Sequence, residues 1–138
     1  MNLDLILTKV RACGGRISPV RKAIIHSLLT KDCLVSHANI VTQLKKHHLT
    51  PDRSTIFREL RFLTAHNIIC KSTIADVDYY EIPHDHHHHL ICLHCDKITK
   101  VVMKDHIKCT SAHIARKNHF TITGHSLEFY GYCAQCRA

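Results

Sequence analysis

The sequence has no hydrophobic run long enough to cross a membrane. Its longest apolar stretches are short, such as residues 5–7 and 90–93, whereas a membrane-spanning helix needs about 20 consecutive apolar residues. The start of the chain carries Asp4 where a signal peptide would carry basic residues, and no cleavage site follows. We therefore expect a cytoplasmic protein that is not exported and has no membrane partner.

Acidic residues and tryptophan are also in short supply. The 138 residues contain no Trp and only 11 Asp and Glu against 19 Lys and Arg, so the formal charge is +8. Histidine and cysteine are abundant instead, with 15 and 8 residues. A hydrophobic share of 45% excludes a disordered or collagenous chain. In a chain that is not exported, 8 cysteines indicate metal ligands or thiols rather than a disulfide framework.

Histidine and cysteine are concentrated in the second half of the chain. Residues 84–138 hold five cysteines and ten histidines, against three and five in residues 1–83. Pro83 and the polar residues after it predict a hinge. We expect two domains, 1–83 and 84–138, each small enough to need a metal ion or dimerisation for its stability.

The first half has the pattern of a winged helix-turn-helix domain. Apolar residues at helical spacing predict helices that begin near Leu3, at Ser18-Pro19, at Ser36 and after Asp52. Two β-prone runs, 68–74 and 79–82, surround the turn 75–78 and predict a hairpin. Three or four short helices followed by a hairpin is the order of elements in a winged helix-turn-helix.

The second half predicts a small α/β domain. Residues 90–93 and 98–103 have the pattern of strands, residues 105–118 have that of a helix, and the loose alternation over 120–132 predicts a long strand. We expect the three strands to form an antiparallel sheet. A helix-rich first half and a sheet-rich second half together predict an α+β fold.

The strongest chemical signal is a pair of CxxC motifs, Cys92-x-x-Cys95 and Cys133-x-x-Cys136. Each motif places two thiolates on one tight turn, and two such turns together make a tetrahedral four-thiolate zinc site. Because four thiolates fill the coordination shell, this zinc would be structural and would stabilise the second domain. The alternative is two redox-active pairs, but such a pair is expected on a strand-to-helix turn, and both motifs lie at predicted strand ends.

A tract of histidines runs directly into the predicted strand 90–93. Alternate residues of a strand share a face, so the tract presents two pairs, His87 with His89 and His86 with His88. One tract can therefore serve two metal centres, with Glu81 upstream and His125 on a later strand as further ligands. The alternative is a solvated polyhistidine loop.

The predicted helix after Asp52 has an apolar stripe and an arginine-rich remaining surface. Arginine donates bidentate hydrogen bonds to guanine, and Ser or Thr can reach phosphates or bases. The alternative is an ordinary amphipathic surface helix, but basic residues at the preceding turn and the net positive charge favour DNA binding. The candidate DNA-contacting residues are Arg16, Arg21, Arg53, Ser54, Thr55, Phe57, Arg58 and Arg61.

These motifs follow the order in which a known family has them. They are RISPVR at 16–21, STIFRELRFL at 54–63, YE at 80–81, HHHHLICLHC at 86–95 and GYCAQC at 131–136. Over nearly its whole length the chain resembles the ferric uptake regulator (Fur) superfamily. The resemblance implies a homodimeric, metal-sensing transcriptional regulator, usually a repressor, with an N-terminal winged helix and a C-terminal dimerisation domain. It further implies structural zinc on the four cysteines, and its symmetric dimers predict double-stranded DNA with a roughly palindromic operator as the partner.

The resemblance also implies a sensing site, whose ligands by position are Cys70, Glu81, His87 and His89. Cys70 stands where zinc-uptake regulators have a ligand, although a small buried residue on a strand is the alternative for it, whereas Glu81 is typical of the iron-sensing type. One thiolate, one carboxylate and two imidazoles suit Zn²⁺, while Fe²⁺ and Mn²⁺ prefer more oxygen ligands. Because Lys100 stands where the family often has a carboxylate, we favour a zinc sensor that controls metal-homeostasis genes. The alternative is an iron or peroxide sensor with Fe²⁺ or Mn²⁺ at the same site.

A further site of the family would use His86, His88 and His125 with a carboxylate at position 108. This chain has Lys108 there, so the site is either lost or completed by Asp105 or His106. A protein of a different class, for metal storage or delivery, could use the histidine tract alone, but it would leave the arginine-rich helix unexplained. Because no HExxH motif or similar zinc-enzyme pattern is present, we expect neither catalysis nor a small-molecule substrate.

Overall fold

The computed structural model describes residues 2–31, 33–83, 87–103, 106–125 and 127–137. The chain divides into two compact units, Met1–His84 and Asp85–Ala138. This division lies one residue from the boundary expected from the sequence. Among the described residues, no helix combines the length and the apolar character that crossing a membrane requires.

The described residues of the first unit form four helices and three strands. In chain order they are α1 (Leu3–Ala12), α2 (Pro19–Leu29), β1 (Val35–Ser36), α3 (His37–Lys46), α4 (Arg53–Ala65), β2 (Cys70–Ile74) and β3 (Val77–Glu81). A polar side chain caps the first turn of every one of these helices, from Asn2, Ser18, Ser36 and Asp52. Each cap accepts a hydrogen bond from a backbone N–H that the helix itself leaves unsatisfied. The predicted helix starts are therefore confirmed.

The core of the first unit is built from the apolar stripes of its four helices. Ile6, Ile24, Ile40 and Leu63, one from each helix, are all fully buried. The core continues onto the sheet through Tyr80, which is 6% exposed. Residues three and four apart on a helix share one face, so the helices bury one side and leave the other to solvent.

The three strands of the first unit form an antiparallel sheet in the order β1-β3-β2. The hairpin β2–β3 turns through Ala75 and Asp76, which both have positive φ, 48° and 61°. Two positive φ angles are typical of the tight two-residue turn that matches the twist of its strands. The predicted turn of 75–78 was too long, because β3 already begins at Val77. With α3 and α4 before it, this hairpin is the wing of a winged helix-turn-helix.

In the part of the second unit that the structure describes there are one helix and three strands: β4 (His88–Cys92), β5 (Ile98–Val101), α5 (His106–Lys117) and β6 (Glu128–Gly131). Its sheet has the order β5-β4-β6. The α+β fold class is confirmed in both units.

Two expectations for the second unit were wrong. The sheet is mixed rather than antiparallel, because β6 pairs parallel with β4 while β5 pairs antiparallel with it. A parallel pair requires a crossover connection, and α5 lies in the connection that leads to β6. The predicted long strand 120–132 is reduced to Glu128–Gly131, and residues 120–125 have no regular secondary structure.

Candidate metal centres and nucleic-acid interface

The four cysteines of the two CxxC motifs converge on one point in the second unit. The Sγ atoms of Cys92, Cys95, Cys133 and Cys136 all lie within 4.8 Å of one another. The Sγ atoms of Cys95 and Cys133 are 3.8 Å apart. A tetrahedral zinc ion with Zn–S bonds of about 2.3 Å places its sulfur atoms about 3.8 Å apart. The arrangement therefore fits structural zinc, whereas two independent redox pairs would have no reason to converge.

Backbone hydrogen bonds hold the two cysteine turns in register. The Cys92 N–H donates to the Lys97 carbonyl (3.0 Å), which closes the first turn where β4 ends. The Leu93 N–H donates to the Gly131 carbonyl (2.8 Å), which extends the pairing of β4 with β6 up to the second motif. The Cys136 N–H then donates to the Cys133 carbonyl (2.9 Å). The mixed sheet thus brings together motifs about 40 residues apart.

The pKa values of the clustered thiols show that the site favours binding of a cation. The Cys133 N–H donates to the Cys92 Sγ (3.3 Å), and this bond, with those from Cys95 and His94, lowers the pKa of Cys92 to about 6. The neighbouring Cys133 thiol raises the pKa of Cys136 to about 12. Without a metal ion, four ionised thiols side by side would repel one another. A divalent cation displaces the protons of the thiols and neutralises the charge of the resulting thiolates.

Each unit carries part of the predicted sensing ligands. In the first unit, Cys70 and Glu81 are directly opposite each other where the wing hairpin ends. Cys70 is exposed to solvent, so it is not the small buried residue of the alternative interpretation. Partial desolvation of its thiol, and then the Glu81 carboxylate, raise its pKa. In the second unit, the rings of His87 and His89 meet edge to face with centroids 4.9 Å apart, and His89 is buried.

The alternation of β4 places His88 on the opposite face of the sheet from His89. The ring centroids of His88 and His125 are 5.8 Å apart. These are two of the three histidines predicted for a further metal site. His86 lies outside the described residues, and so does the side chain of Lys108.

Helix α4 presents most of the predicted DNA-contacting side chains on its exposed surface. Arg53, Ser54, Phe57, Arg58 and Arg61 are exposed there, whereas Thr55 is half-buried. The ring of Phe57 is 59% exposed, which is unusual for a large apolar side chain. Arg58 donates to the Thr55 hydroxyl at 3.2 Å, so its guanidinium lies along the helix surface.

The N-terminal turn of α4 is fixed by Asp52. Its carboxylate accepts from the Thr55 N–H (2.6 Å) and from the Ser54 hydroxyl (3.0 Å). Hydrogen bonds from Thr55 and Ser54 lower the pKa of Asp52 below its usual range. The Asp52 cap therefore fixes the first turn of α4, where the exposed side chains of the helix begin.

Arg21 is placed differently from the other predicted DNA-contacting residues. It is only 8% exposed and donates to the Glu59 carboxylate at 2.5 Å. A second donor binds the Arg16 carbonyl at 2.7 Å, and the guanidinium lies 4.0 Å from the centre of the Phe62 ring. Arg16 itself is exposed. Arg21 thus joins α2, the loop before it and α4 inside the first unit, and its contact with DNA stays a prediction.

Glu59 is the partner that sequence reasoning missed. It lies three residues after Ile56 and four before Leu63, both buried, so it belongs to the buried side of α4. An acid within the apolar stripe of a helix indicates a buried cationic partner. The acidic residue within the apolar stripe is visible in the sequence, but the sequence alone does not identify Arg21, 38 residues away, as its partner.

The fold and the ligand groups together define a metal-binding protein with a winged-helix domain. A sequence model described as the ferric uptake regulator family matches residues 12–130. The chain belongs to the ferric uptake regulator family, whose members are dimeric DNA-binding regulators of transcription that respond to metal ions. The resemblance expected from the motifs is thereby confirmed.

Relatives and solved structures agree with this assignment over nearly the whole chain. The ferric uptake regulation protein of Helicobacter pylori is 25% identical over 137 residues, with 98% of this chain and 91% of that protein covered. The peroxide-responsive repressor PerR of Staphylococcus epidermidis is 26% identical over 138 residues, with coverages of 98% and 90%.

Among solved structures, the Helicobacter pylori ferric uptake regulator Fur, described as having three functional metal binding sites, has a TM-score of 0.80 at 24% identity. It covers 99% of this chain and 94% of its own. A zinc-bound manganese uptake regulator has a TM-score of 0.68 at 24% identity, with coverages of 93% and 98%. At these identities the structures support the fold.

Proposed function

We propose that this protein is a zinc-responsive repressor that controls metal-homeostasis genes. The observation that carries the proposal is the pairing of Cys70 with Glu81, which puts a thiol and a carboxylate side by side a few residues before the histidine tract. With His87 and His89, these would give one thiolate, one carboxylate and two imidazoles around a single ion. Such a mixed four-ligand set suits Zn²⁺ better than Fe²⁺ or Mn²⁺.

The proposed repressor acts as a homodimer, and the second unit supplies an argument for this. Large apolar side chains on its sheet and loops are exposed, among them Leu90 (44%), Phe129 (40%) and Tyr132 (63%). These three side chains line one shallow pocket of the unit, and a contiguous exposed apolar surface marks an interaction site. Ligands contributed by both units would also let the sensed ion favour one arrangement of the units, through its differential affinity for the arrangements.

The proposed DNA contacts come from Arg16 and from the exposed face of α4, with its residues Arg53, Ser54, Thr55, Phe57, Arg58 and Arg61. Two such helices in a symmetric dimer would read a roughly palindromic operator in successive major grooves. Arg21 supports this surface from inside the unit. Because such a regulator works where the DNA is, the proposal includes a cytoplasmic location.

The proposal extends to the metal ions. One zinc ion on the four cysteines would be structural and slow to exchange, and a second ion on Cys70, Glu81, His87 and His89 would exchange and regulate. The approach of His88 to His125 supports a further, weaker site that includes His86. We do not expect catalysis, since the family is one of transcriptional regulators.

Fluorescence anisotropy with metal titration tests the sensing proposal. A duplex selected from a random pool by the zinc-loaded protein serves as the probe, and Zn²⁺, Mn²⁺ and anaerobic Fe²⁺ are titrated separately. Cys70→Ala should raise the Zn²⁺ concentration needed for DNA binding by more than about tenfold, since it removes a direct ligand. Cys13→Ala is the matched control, because Cys13 is an exposed thiol of the same unit outside both ligand groups. An unchanged zinc response of Cys70→Ala would remove the main support for zinc sensing.

The second candidate function is an iron or peroxide sensor. The raised pKa of Cys70 favours it, because a thiol that ionises less readily is a poorer metal ligand. Glu81 and the two imidazoles would then hold Fe²⁺ or Mn²⁺. In that case Cys70→Ala retains its response, and anaerobic Fe²⁺ supports DNA binding at lower concentration than Zn²⁺.

A further inference from the structure

A groove of about 380 Å³ lies between α4 and the wing hairpin in the first unit. Its apolar lining includes Leu60, Ala65 and Tyr80. Two cations also line it, Arg61 from α4 and Lys71 from β2. The groove is therefore amphipathic, with an apolar floor and positive charge contributed by both walls.

Lys71 is held in this groove by an acid of the same hairpin. The antiparallel register sets Lys71 opposite Tyr80 and Thr73 opposite Asp78, so all four residues share one face. The Asp78 carboxylate accepts from the Lys71 ammonium at 2.7 Å and from the Thr73 hydroxyl at 2.8 Å. Both members of the ion pair remain partly exposed, 41% for the Lys71 side chain and 38% for that of Asp78.

The chemistry of the groove matches a DNA backbone better than a small apolar ligand. A DNA strand alternates anionic phosphates with apolar sugar faces, and the groove offers cations beside an apolar floor. Arg61 belongs both to the groove and to the exposed surface of α4, so a strand bordering the major groove read by α4 would pass over it. An exposed ion pair such as Lys71–Asp78 is weak, whereas a lysine that contacts phosphate releases counterions from the DNA.

We propose that this groove binds the phosphate backbone of the operator, with Arg61 and Lys71 on one phosphate, and that Asp78 competes with the phosphate for Lys71. The proposal rests on the DNA-binding function proposed above and adds a wing contact to it. Lys71 then contacts DNA independently of the base sequence, and Asp78 lowers the affinity of the protein for DNA.

The test uses the full-length, zinc-loaded protein with two labelled duplexes of equal length, one selected from a random pool and one unselected. Lys71→Ala should weaken binding to both duplexes by the same factor, about tenfold, because a charge-assisted contact to phosphate carries no base information. The slope of log affinity against log salt concentration should become shallower by about two units, because the dimer loses one phosphate contact in each subunit. Lys46→Ala is the control for the loss of one exposed positive charge in the same unit.

Asp78→Asn should strengthen binding to both duplexes by about threefold, because it frees Lys71 from its competitor. Asp76→Asn is the matched control: it removes the same charge from the turn of the same hairpin, and Asn tolerates the positive φ of 61° there. In the double variant Lys71→Ala/Asp78→Asn the gain should vanish. Circular dichroism and thermal melting of each variant check that the hairpin still folds.

The outcomes separate this inference from the proposed function. If Lys71→Ala behaves like Lys46→Ala while Arg58→Ala abolishes the preference for the selected duplex, the groove proposal is wrong and the DNA-binding function stands. If the wild-type protein binds neither duplex under any metal condition, both are overturned. Equal effects of Asp78→Asn and Asp76→Asn would show a general charge effect and would contradict the role of Asp78 as a competitor.

Discussion

At the scale of single residues, Arg21 and Glu59 form a largely buried ion pair inside the first unit. The Arg21 and Glu59 side chains are only 10% and 16% exposed, and Arg21 also binds the Arg16 carbonyl and stacks on Phe62. A Cβ atom at Gly15 would lie 2.5 Å from the Phe62 ring and 2.7 Å from the Arg21 guanidinium. The loop before α2 is therefore packed onto this pair without room for a side chain.

Glu59→Ala should cost about 3 kcal/mol of unfolding free energy, because it leaves the Arg21 charge buried without its partner. Glu59→Gln, which keeps a hydrogen-bond acceptor, should cost about 1 kcal/mol. Arg21→Met/Glu59→Leu should recover most of the loss, since an apolar pair of similar volume removes the buried charges together. Urea unfolding followed by circular dichroism measures all three.

The exposed acid Asp76 provides the reference for this series, and Asp76→Asn should stay within about 0.5 kcal/mol of the wild-type protein. A Glu59→Ala variant as stable as Asp76→Asn would contradict a structural role for the pair.

Arg21 shows that the residue type alone is not enough to predict a DNA-contacting residue. Basic residues near a helix-turn-helix predict DNA contacts, and only the packing distinguishes an arginine that faces solvent from one that holds two helices together.

At the scale of elements, local signals and long-range pairing differ in how far the sequence predicts them. Helix starts depend on a capping side chain and the first turn, so Ser18, Ser36 and Asp52 mark them correctly. The two-residue strand β1 is too short to show any alternation, and it forms through its pairing with β3. The parallel pairing of β6 with β4 likewise depends on residues nearly 40 positions apart, and the alternation over 120–132 contains no information about it.

The same contrast applies to the metal centres. The spacing of the two CxxC motifs was sufficient to predict four converging thiols, because each motif fixes its own turn. The sensing ligands were predicted from the family resemblance and from strand alternation. That Cys70 lies opposite Glu81 is known only from the strand register of the hairpin in the structure. Lys71 and Asp78 were not singled out, because their ion pair is diagonal across two strands and depends on that register.

The wing turn permits a prediction of its own. Ala75 has a φ of 48°, a left-handed conformation that is unfavourable for any residue with a Cβ atom. Ala75→Gly should therefore raise the unfolding free energy by about 0.5 kcal/mol, despite the greater freedom of glycine in the unfolded chain. Ala23→Gly, in the interior of α2, should lower it by about 1 kcal/mol. Thermal unfolding that moves in the same direction for both variants would rule out the strained turn.

At the scale of the whole molecule, the two units differ in what stabilises them. The first unit has a core formed by all four of its helices and by its sheet. Among the described side chains of the second unit, only Ile91 and Cys92 are buried hydrophobic residues, while Leu93, Phe120 and Tyr130 are more than half exposed. A unit of this size with so few buried apolar groups needs a metal ion or a partner surface to remain folded.

Removal of zinc should therefore unfold the second unit and leave the first one folded. A structural zinc ion on thiolates contributes on the order of 10 kcal/mol of apparent binding free energy, which a small sheet without a core cannot replace. In the chelator-treated protein, and equally in Cys136→Ser, amide hydrogen exchange should become fast in β4, β5 and β6 and stay slow in α2 and α4. Elemental analysis should show that Cys136→Ser lacks one zinc ion per chain and that the chelator-treated protein lacks this ion together with the exchangeable one, whereas Cys13→Ser should keep both. Protection of β4 and β6 that survives complete removal of zinc would mean that the dimer surface alone stabilises this unit, and the four thiols would then need another role.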